Sequence, residues 1–306
     1  MRIVFLLFVS LILSSRIYTS SALRVPITDG MINVTVSADG MDDFEIRMVL
    51  AGNSASLISS SFHFGRRGVD VGDFRFSFSD QLREITALSP AVRGTDGGSY
   101  MGIGPMSEIV GYLGDVAILK NTQGPFELII GHDRSGFVSS CNAGSSFSVR
   151  LVTGGNYCGG QVRLNGTVTL DREALIRVST VPNSGLFLAP ASFLEYVNNT
   201  LTANGSGGVE RVPGSLTFIV ANCTDRMIES LMPIDFLLRS INEFNYSGLI
   251  RYYPEAYISV GTDGNCKLNF GVAAQNEALN IDPIHIPLTN VRITCTTVEF
   301  CYSSIL

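Results

Sequence analysis

The chain has 306 residues, of which 45% are hydrophobic and 16% are charged, and its net charge is −6. This composition excludes a disordered chain and a coiled coil, and the absence of a dense Lys/Arg cluster argues against a nucleic-acid partner. The three histidines, His63, His132 and His285, are too scattered to predict a metal site, and no phosphate-binding or dinucleotide-binding fingerprint is present. We therefore expect a folded protein of one large domain or two lobes, with no metal and no cofactor.

The first 22 residues have the pattern of a secretory signal peptide. Arg2 is the basic start, residues 3–13 form an apolar run, and residues 20–22, Ser-Ser-Ala, offer small side chains for cleavage. Cleavage after Ser15 is the alternative. The apolar run is too short to span a bilayer comfortably, and no later segment is long enough for a transmembrane helix. The sequence thus predicts a mature chain that is secreted or lumenal, without a membrane span.

The glycosylation sequons and the number of cysteines are consistent with secretion. Sequons of the form Asn-x-Ser/Thr begin at Asn33, Asn165, Asn198, Asn204, Asn222 and Asn245. The chain has six cysteines, and an even number in an oxidising compartment predicts disulfides, here three. Six cysteines allow about 15 pairings, so the count alone leaves the connectivity open.

Apolar residues alternate with polar or smaller ones in two early runs, which is the period expected of half-buried strands. The alternating residues are Phe44, Ile46, Met48 and Leu50 in the first run and Phe74, Phe76 and Phe78 in the second. Later, the decapeptide QVRLNGTVTL at 161–170 places Asn165 and Gly166 between two alternating runs. Asn-Gly tolerates the positive φ angles of a tight turn, so this segment predicts a hairpin. Further strands are predicted at 257–260, 267–272 and 291–301.

Helices are predicted to be few and short. One candidate covers residues 106–113 and another covers 192–201, where Ser192 and Glu195 have the spacing of a capping box. The apolar face of the second helix consists of Phe193, Val197 and Leu201. The polar, Gly-rich stretch 202–208 should be a surface loop. His285 lies between two isoleucines, which indicates a strand residue.

Five segments, in the right order, resemble the pepsin-like aspartic proteases. Residues 49–58, VLAGNSASLI, follow a strand and resemble the first active-site turn, and residues 100–107, YMGIGPMS, resemble the segment that leads into a short helix. Residues 125–133, PFELIIGHD, resemble a strand near the lobe junction, and residues 178–190, VSTVPNSGLFLAP, match the second active-site turn without a gap. The span 223–266, bounded by cysteines, resembles the disulfide loop of the second lobe. The resemblance implies a mainly β, two-lobed fold with lobes at 23–122 and 123–306.

The departures from the family concern its catalytic parts. Ala51 and Val181 occupy the positions of the two catalytic aspartates, and neither side chain can exchange a proton or hold a water. Asn53 and Asn183 replace the glycines of the two turns, and asparagine accepts left-handed backbone better than most residues. The family's hairpin flap carries a tyrosine, yet no Tyr occurs between residues 60 and 99. No catalytic residue is therefore predicted.

The resemblance also implies a disulfide between Cys223 and Cys266. Two further pairs, Cys141–Cys158 and Cys295–Cys301, are then predicted because the partners are close in sequence and could each close a hairpin. Degenerate relatives of the family, such as plant xylanase inhibitors, are binding or inhibitor proteins. The resemblance therefore implies a non-catalytic secreted glycoprotein that binds a protein, peptide or glycan. Two alternatives stay open, namely an active aspartic endopeptidase and a structural surface glycoprotein.

Overall fold

The structure, a computed structural model, describes most of the chain between residues 23 and 303. The described ranges are 23–38, 44–51, 57–59, 74–78, 81–85, 92–94, 98–105, 107, 110, 115–120, 125–131, 137, 141–152, 156–178, 185–214, 217–286 and 289–303. The predicted signal peptide, most of the predicted helix at 106–113 and the turn that contains Val181 lie outside these ranges. So does much of the region where the family has its flap.

Strands dominate the described residues. They are β1 (Leu23–Ile27), β2 (Met31–Ala38), β3 (Phe44–Ala51), β4 (Leu57–Ser59), β5 (Phe74–Phe78), β6 (Gln81–Ile85), β7 (Val92–Gly94), β8 (Tyr100–Gly102), β9 (Asp115–Leu119), β10 (Phe126–Ile130), β11 (Cys141–Arg150), β12 (Tyr157–Leu164), β13 (Val168–Val178), β14 (Phe187–Ala189), β15 (Val209–Arg211), β16 (Phe218–Val220), β17 (Ile234–Arg239), β18 (Gly248–Tyr252), β19 (Ile258–Val260), β20 (Cys266–Leu268), β21 (Gly271–Val272), β22 (Leu279–Ile281), β23 (Thr289–Thr294) and β24 (Thr297–Ser303). The described helices are α1 (Ala191–Ala203), α2 (Asp225–Ile228) and α3 (Pro254–Tyr257).

Two seven-stranded sheets have the same internal plan. The N-terminal sheet has the order β6-β5-β2-β3-β8-β4-β7, and the C-terminal sheet has the order β18-β17-β12-β13-β22-β14-β21. In both sheets the fourth and fifth strands, β3 with β8 and β13 with β22, run parallel, and so do the last two. The described pairs between the remaining neighbours are antiparallel. The two halves of the chain therefore repeat one topology.

A six-stranded sheet, the junction sheet, draws its strands from outside both repeats. Its order is β1-β10-β9-β23-β24-β11, so it joins the first described strand to the last one. Apolar side chains of β9, β10 and β23 are fully or almost fully buried, including Val116, Ile118, Leu128 and Val291. All five residues of β9 are buried, which shows that both faces of this central strand are covered.

A cluster of six aromatic rings fills the core beneath the C-terminal sheet. Phe187 of β14 stands at its centre and stacks on Phe270 with ring centroids 5.4 Å apart. The remaining members are Phe193, Phe236, Tyr252 and Tyr257. Aromatic pairs at such separations contribute about 0.5–1.5 kcal/mol beyond the area that they bury.

Helix α1 packs one apolar stripe into this core. Phe193, Val197 and Leu201 have no exposed surface, as the spacing of four residues predicts for one helix face. The predicted capping box is wrong, because the helix is preceded by Pro190 and its N-terminus has no side-chain capping bond. Proline fixes φ and terminates the extended β14 segment, so the helix begins without help from Ser192. After Ala203 the chain leaves the helix for the predicted polar loop.

Several predicted strands and the predicted hairpin are confirmed. Strand β3 buries Ile46, Met48 and Leu50, and the phenylalanines of the second alternating run lie on β5. Asn165 and Gly166 form the turn between β12 and β13, with φ angles of 44° and 70°. The segment 291–301 forms not one strand but the hairpin of β23 and β24.

The predicted disulfides are partly right. Cys223 is bonded to Cys266, which confirms that pair. The pairs Cys141–Cys158 and Cys295–Cys301 are wrong, because Cys141 is bonded to Cys301. Strand β11 pairs with β24 near the C-terminus, which brings residues separated by 160 positions together.

The two remaining cysteines, Cys158 and Cys295, are free thiols. Cys158 lies in the core on β12, where burial raises the pKa of its thiol to about 12. Cys295 is exposed between β23 and β24.

Candidate functional site

The equivalent strands of the two sheets lead into the two turns that resemble active-site turns. Ala51 is the last residue of β3 and its backbone lies beside Gly102 of β8. It precedes Leu57, the start of β4, by six positions, just as Val181 precedes Phe187, the start of β14. Residues 52–56 and 179–184 lie outside the described residues, so the approach of Ala51 to Val181 stays a prediction.

A buried polar cluster lies where the junction sheet meets the end of the C-terminal repeat. Lys120 directly follows β9, and its backbone N–H donates to the Asn290 side-chain oxygen at 2.7 Å. Its ammonium donates to the carbonyl oxygen of Ile286. Asp282, just after β22, accepts a bond from the Ile284 N–H at 2.9 Å. We call the buried Lys120 and Asp282, the Ile286 carbonyl and the exposed His285 at their edge the junction cluster.

His285 belongs to this cluster rather than to a strand, so its predicted strand position is wrong. Residues 282–286 turn away from β22, and the His285 Nδ1 lies 2.8 Å from the Asp282 carboxylate. The polar bonds that hold the turn explain the difference. The His285 N–H donates to the Asp282 carbonyl at 3.0 Å, a turn contact that an extended strand cannot make.

Burial sets the electrostatics of the cluster. Desolvation lowers the pKa of Lys120 to about 7, although the negative charge of Asp282 opposes the shift. Desolvation also raises the pKa of the fully buried Tyr252 well above its ordinary value, and Asp282 adds to that rise. The Tyr252 hydroxyl has no hydrogen-bond partner among the described residues.

Other buried carboxylates are paired with arginine and have a structural role. Arg251 makes two bonds to Asp235, at 2.7 and 2.8 Å, and this hydrogen bonding is the main cause that raises the pKa of Arg251. Arg292 bridges Asp115 at 2.6 Å and Glu299 at 2.8 Å within the junction sheet. These pairs connect neighbouring strands.

The sequon asparagines lie on the surface of the described residues. Those that are exposed are Asn33, Asn165, Asn204, Asn222 and Asn245, whereas Asn198 on α1 is half-buried. The Asn198 side-chain oxygen accepts a bond from the Val209 N–H at 2.9 Å. The Asn204 amide donates to the Thr200 carbonyl at 2.8 Å and to the Ser230 hydroxyl at 3.2 Å.

Within the described ranges, no group of three or more His, Cys, Asp or Glu side chains is arranged to hold a metal ion. Of the helices that the structure describes, none combines the length and the hydrophobicity needed to cross a membrane.

The sequence reasoning missed Lys120 and Asp282. Lys120 follows the apolar residues 116–119 and is one of only two lysines in the chain, but this pattern alone does not indicate a site. No signal marks Asp282 either, because its burial depends on the approach of the junction sheet.

Comparisons with known proteins bear on the fold. No protein-family model matches the chain, and no curated protein sequence matches it. Among solved structures, the chain is similar to the crystal structure of an aspartic proteinase from Irpex lacteus, with a TM-score of 0.65 and 13% sequence identity. The match covers 93% of this chain and 98% of that chain. At this identity the likeness concerns the fold alone, and the chain therefore has the mainly β, two-lobed fold of the pepsin-like aspartic proteinases.

Proposed function

We propose that the mature chain is a secreted glycoprotein with a pepsin-like fold that binds a protein, peptide or glycan and does not hydrolyse peptides. The observation that carries this proposal is the pair Ala51 and Val181, which stand where the fold's two catalytic aspartates belong. The matching topology of the two seven-stranded sheets supports this placement, because β3 and β13 are equivalent strands. It also supports a division of the mature chain into lobes at 23–122 and 123–306.

The chemical argument rests on what two adjacent carboxylates do. Held close together they cannot both ionise easily, so one keeps its proton while the other acts as a base on a bound water. The hydrocarbon side chains of Ala51 and Val181 can do neither. A fold that keeps its two lobes but lacks this dyad retains the means to hold a ligand between them without cleaving it.

Secretion and glycosylation are part of the proposal. The two disulfides support an oxidising compartment, because such bonds persist in secreted and lumenal proteins. The surface positions of the sequon asparagines support their use as glycan acceptors.

The binding proposal is tested with immobilised mature protein, a peptide library and a glycan array. We expect saturable binding to one of these classes, and we expect Val181→Trp to weaken it at least about tenfold because the larger side chain obstructs a ligand at the second turn, a loss of about 1.4 kcal/mol. The matched control is Val168→Trp, because Val168 begins β13 with half of its surface exposed. Binding that both variants leave unchanged would place the ligand outside the turns and contradict a site beside Val181. Binding to neither class would contradict the proposal and favour a structural surface glycoprotein.

A further inference from the structure

The chain uses lysine so sparingly that the position of each lysine is informative. Of the 21 basic residues other than histidine, only Lys120 and Lys267 are lysines. Lys267 is exposed on β20, whereas Lys120 is 8% exposed. Arginine keeps its charge at every physiological pH, while a buried lysine readily loses its proton. Lys120 is thus a buried cation whose charge can change.

Lys120 is not held as Arg251 and Arg292 are. Arg251 and Arg292 each contact a buried carboxylate directly. Lys120 lies beyond ion-pair distance of any described carboxylate, and its ammonium donates instead to the Ile286 carbonyl. A neutral amine can still donate to a carbonyl oxygen, although more weakly than an ammonium does, so deprotonation keeps a bond here while it removes the cost of burying the charge.

The charged groups around Lys120 are few among the described residues. Asp282 is the charged group that acts on it electrostatically, and the Phe126 ring centroid lies 5.7 Å from the Lys120 ammonium. The Asp282 carboxylate is itself engaged by His285 at 2.8 Å, and its negative charge also reaches the Tyr252 hydroxyl. Asp282 is 4% exposed. Its charge is therefore shared among three partners and compensates Lys120 only in part.

We propose that the junction cluster is a pH-responsive contact, in which protonation of Lys120 loosens the docking of residues 282–286 against the end of β9. The contact lies between the junction sheet and the segment that follows the C-terminal repeat, so loosening it frees residues 282–286 from the end of β9. This inference goes beyond the proposed function and does not depend on whether the chain binds a ligand.

The direction of the effect follows from proton linkage. The pKa of Lys120 is lowered from 10.5 to about 7 in the folded state, so between these values the open state binds more protons than the closed state. Stability of the contact therefore rises with pH above about 7 and falls to its lower limit as pH drops below that value. With these two pKa values, the equilibrium constant for opening should increase about tenfold from pH 8 to pH 6.

The first test measures opening by hydrogen exchange at pH 6, 7 and 8, corrected for intrinsic exchange rates. The reporting amides are those of Asp282, Ile284 and His285, which are bonded within this region. In the unmodified protein and in the control Lys267→Met, we expect the equilibrium constant for opening to increase about tenfold from pH 8 to pH 6. In Lys120→Met, which keeps an apolar side chain of similar length, we expect this constant not to depend on pH. His285→Gln should keep the dependence. The proposal is overturned if Lys120→Met retains it or if His285→Gln abolishes it.

A second measurement needs no change at Lys120, so it stands even if Lys120→Met fails to fold. Protein labelled with carbon-13 in lysine has two ε-carbon signals, and Lys267→Met assigns them. We expect the Lys120 signal to titrate near pH 7. Titration of the Lys120 signal only in the alkaline range would overturn the proposal, and it would leave the proposed binding function untouched.

Discussion

Asp235 on β17 shows how a single buried charge is satisfied in this molecule. Its side chain has no exposed surface, and it receives two hydrogen bonds from Arg251 on the neighbouring strand β18. The geometry is the bidentate contact that arginine makes best. Removal of the guanidinium would leave a carboxylate without a cation in a desolvated place, and that penalty exceeds the net value of the pair.

We therefore expect Arg251→Met to lower the free energy of unfolding by about 3–5 kcal/mol. The matched control is Arg24→Met, because Arg24 pairs with Glu127 at 3.1 Å on the surface, with side chains 46% and 35% exposed. Exposed pairs contribute about 0–1 kcal/mol. Urea denaturation at pH 7 measures both variants, and equal losses would contradict the claim that burial makes Asp235 depend on its partner.

Individual residues also show what could and what could not be predicted from the sequence. Ala51 and Val181 could be identified because they stand inside turns that match a known pattern. Lys120 could not, because an apolar run that ends in lysine is ordinary until the structure covers its ammonium with the turn after β22. His285 was misplaced for the same reason. Two flanking isoleucines suggest a strand, yet the bond from His285 to Asp282 holds a turn.

At the level of elements, local sequence patterns correctly predicted strands and turns, because the local backbone geometry determines these features. The alternating run at 44–50 became β3, and the Asn-Gly pair at 165–166 became the turn of a hairpin. Pairing between distant strands was beyond reach, since the β11–β24 contact joins residues about half a chain apart. Two disulfides were predicted wrongly for this reason. Their cysteines were paired because they are close in sequence, whereas the pairing of distant strands determines which cysteines meet.

Non-reducing peptide mapping of the secreted protein checks the element-scale account. We expect Cys223 joined to Cys266, Cys141 joined to Cys301, and free thiols at the remaining two cysteines. The closed loops span 43 and 160 positions, for which the chain-entropy model gives about 4 and 5 kcal/mol of stabilisation. Recovery of Cys141 joined to Cys158 would contradict the pairing of β11 with β24. In the same digest, enzymatic release of glycans identifies which sequon asparagines are used.

At the scale of the whole molecule, one topology is used twice and a third sheet unites the copies. The N-terminal and C-terminal sheets repeat the same order of strands, and the junction sheet ties the beginning of the described chain to its end. A mainly β, two-lobed pepsin-like fold was predicted from five short segments in a fixed order, and the likeness to a solved aspartic proteinase confirms that fold. Function does not follow from the fold, because the chemistry depends on the two residues at the turns.

The most direct test of the central claim is an assay for peptide cleavage at pH 2–6 by the purified mature chain, using a broad peptide library with and without a transition-state-mimicking inhibitor of aspartic proteases. We expect no inhibitor-sensitive cleavage, because general acid–base participation alone contributes about 10²–10⁴-fold in rate and the proposal puts Ala51 and Val181 in the positions of both acids. Cleavage that co-purifies with the chain, is blocked by the inhibitor and disappears when one particular aspartate is changed to asparagine would contradict the claim.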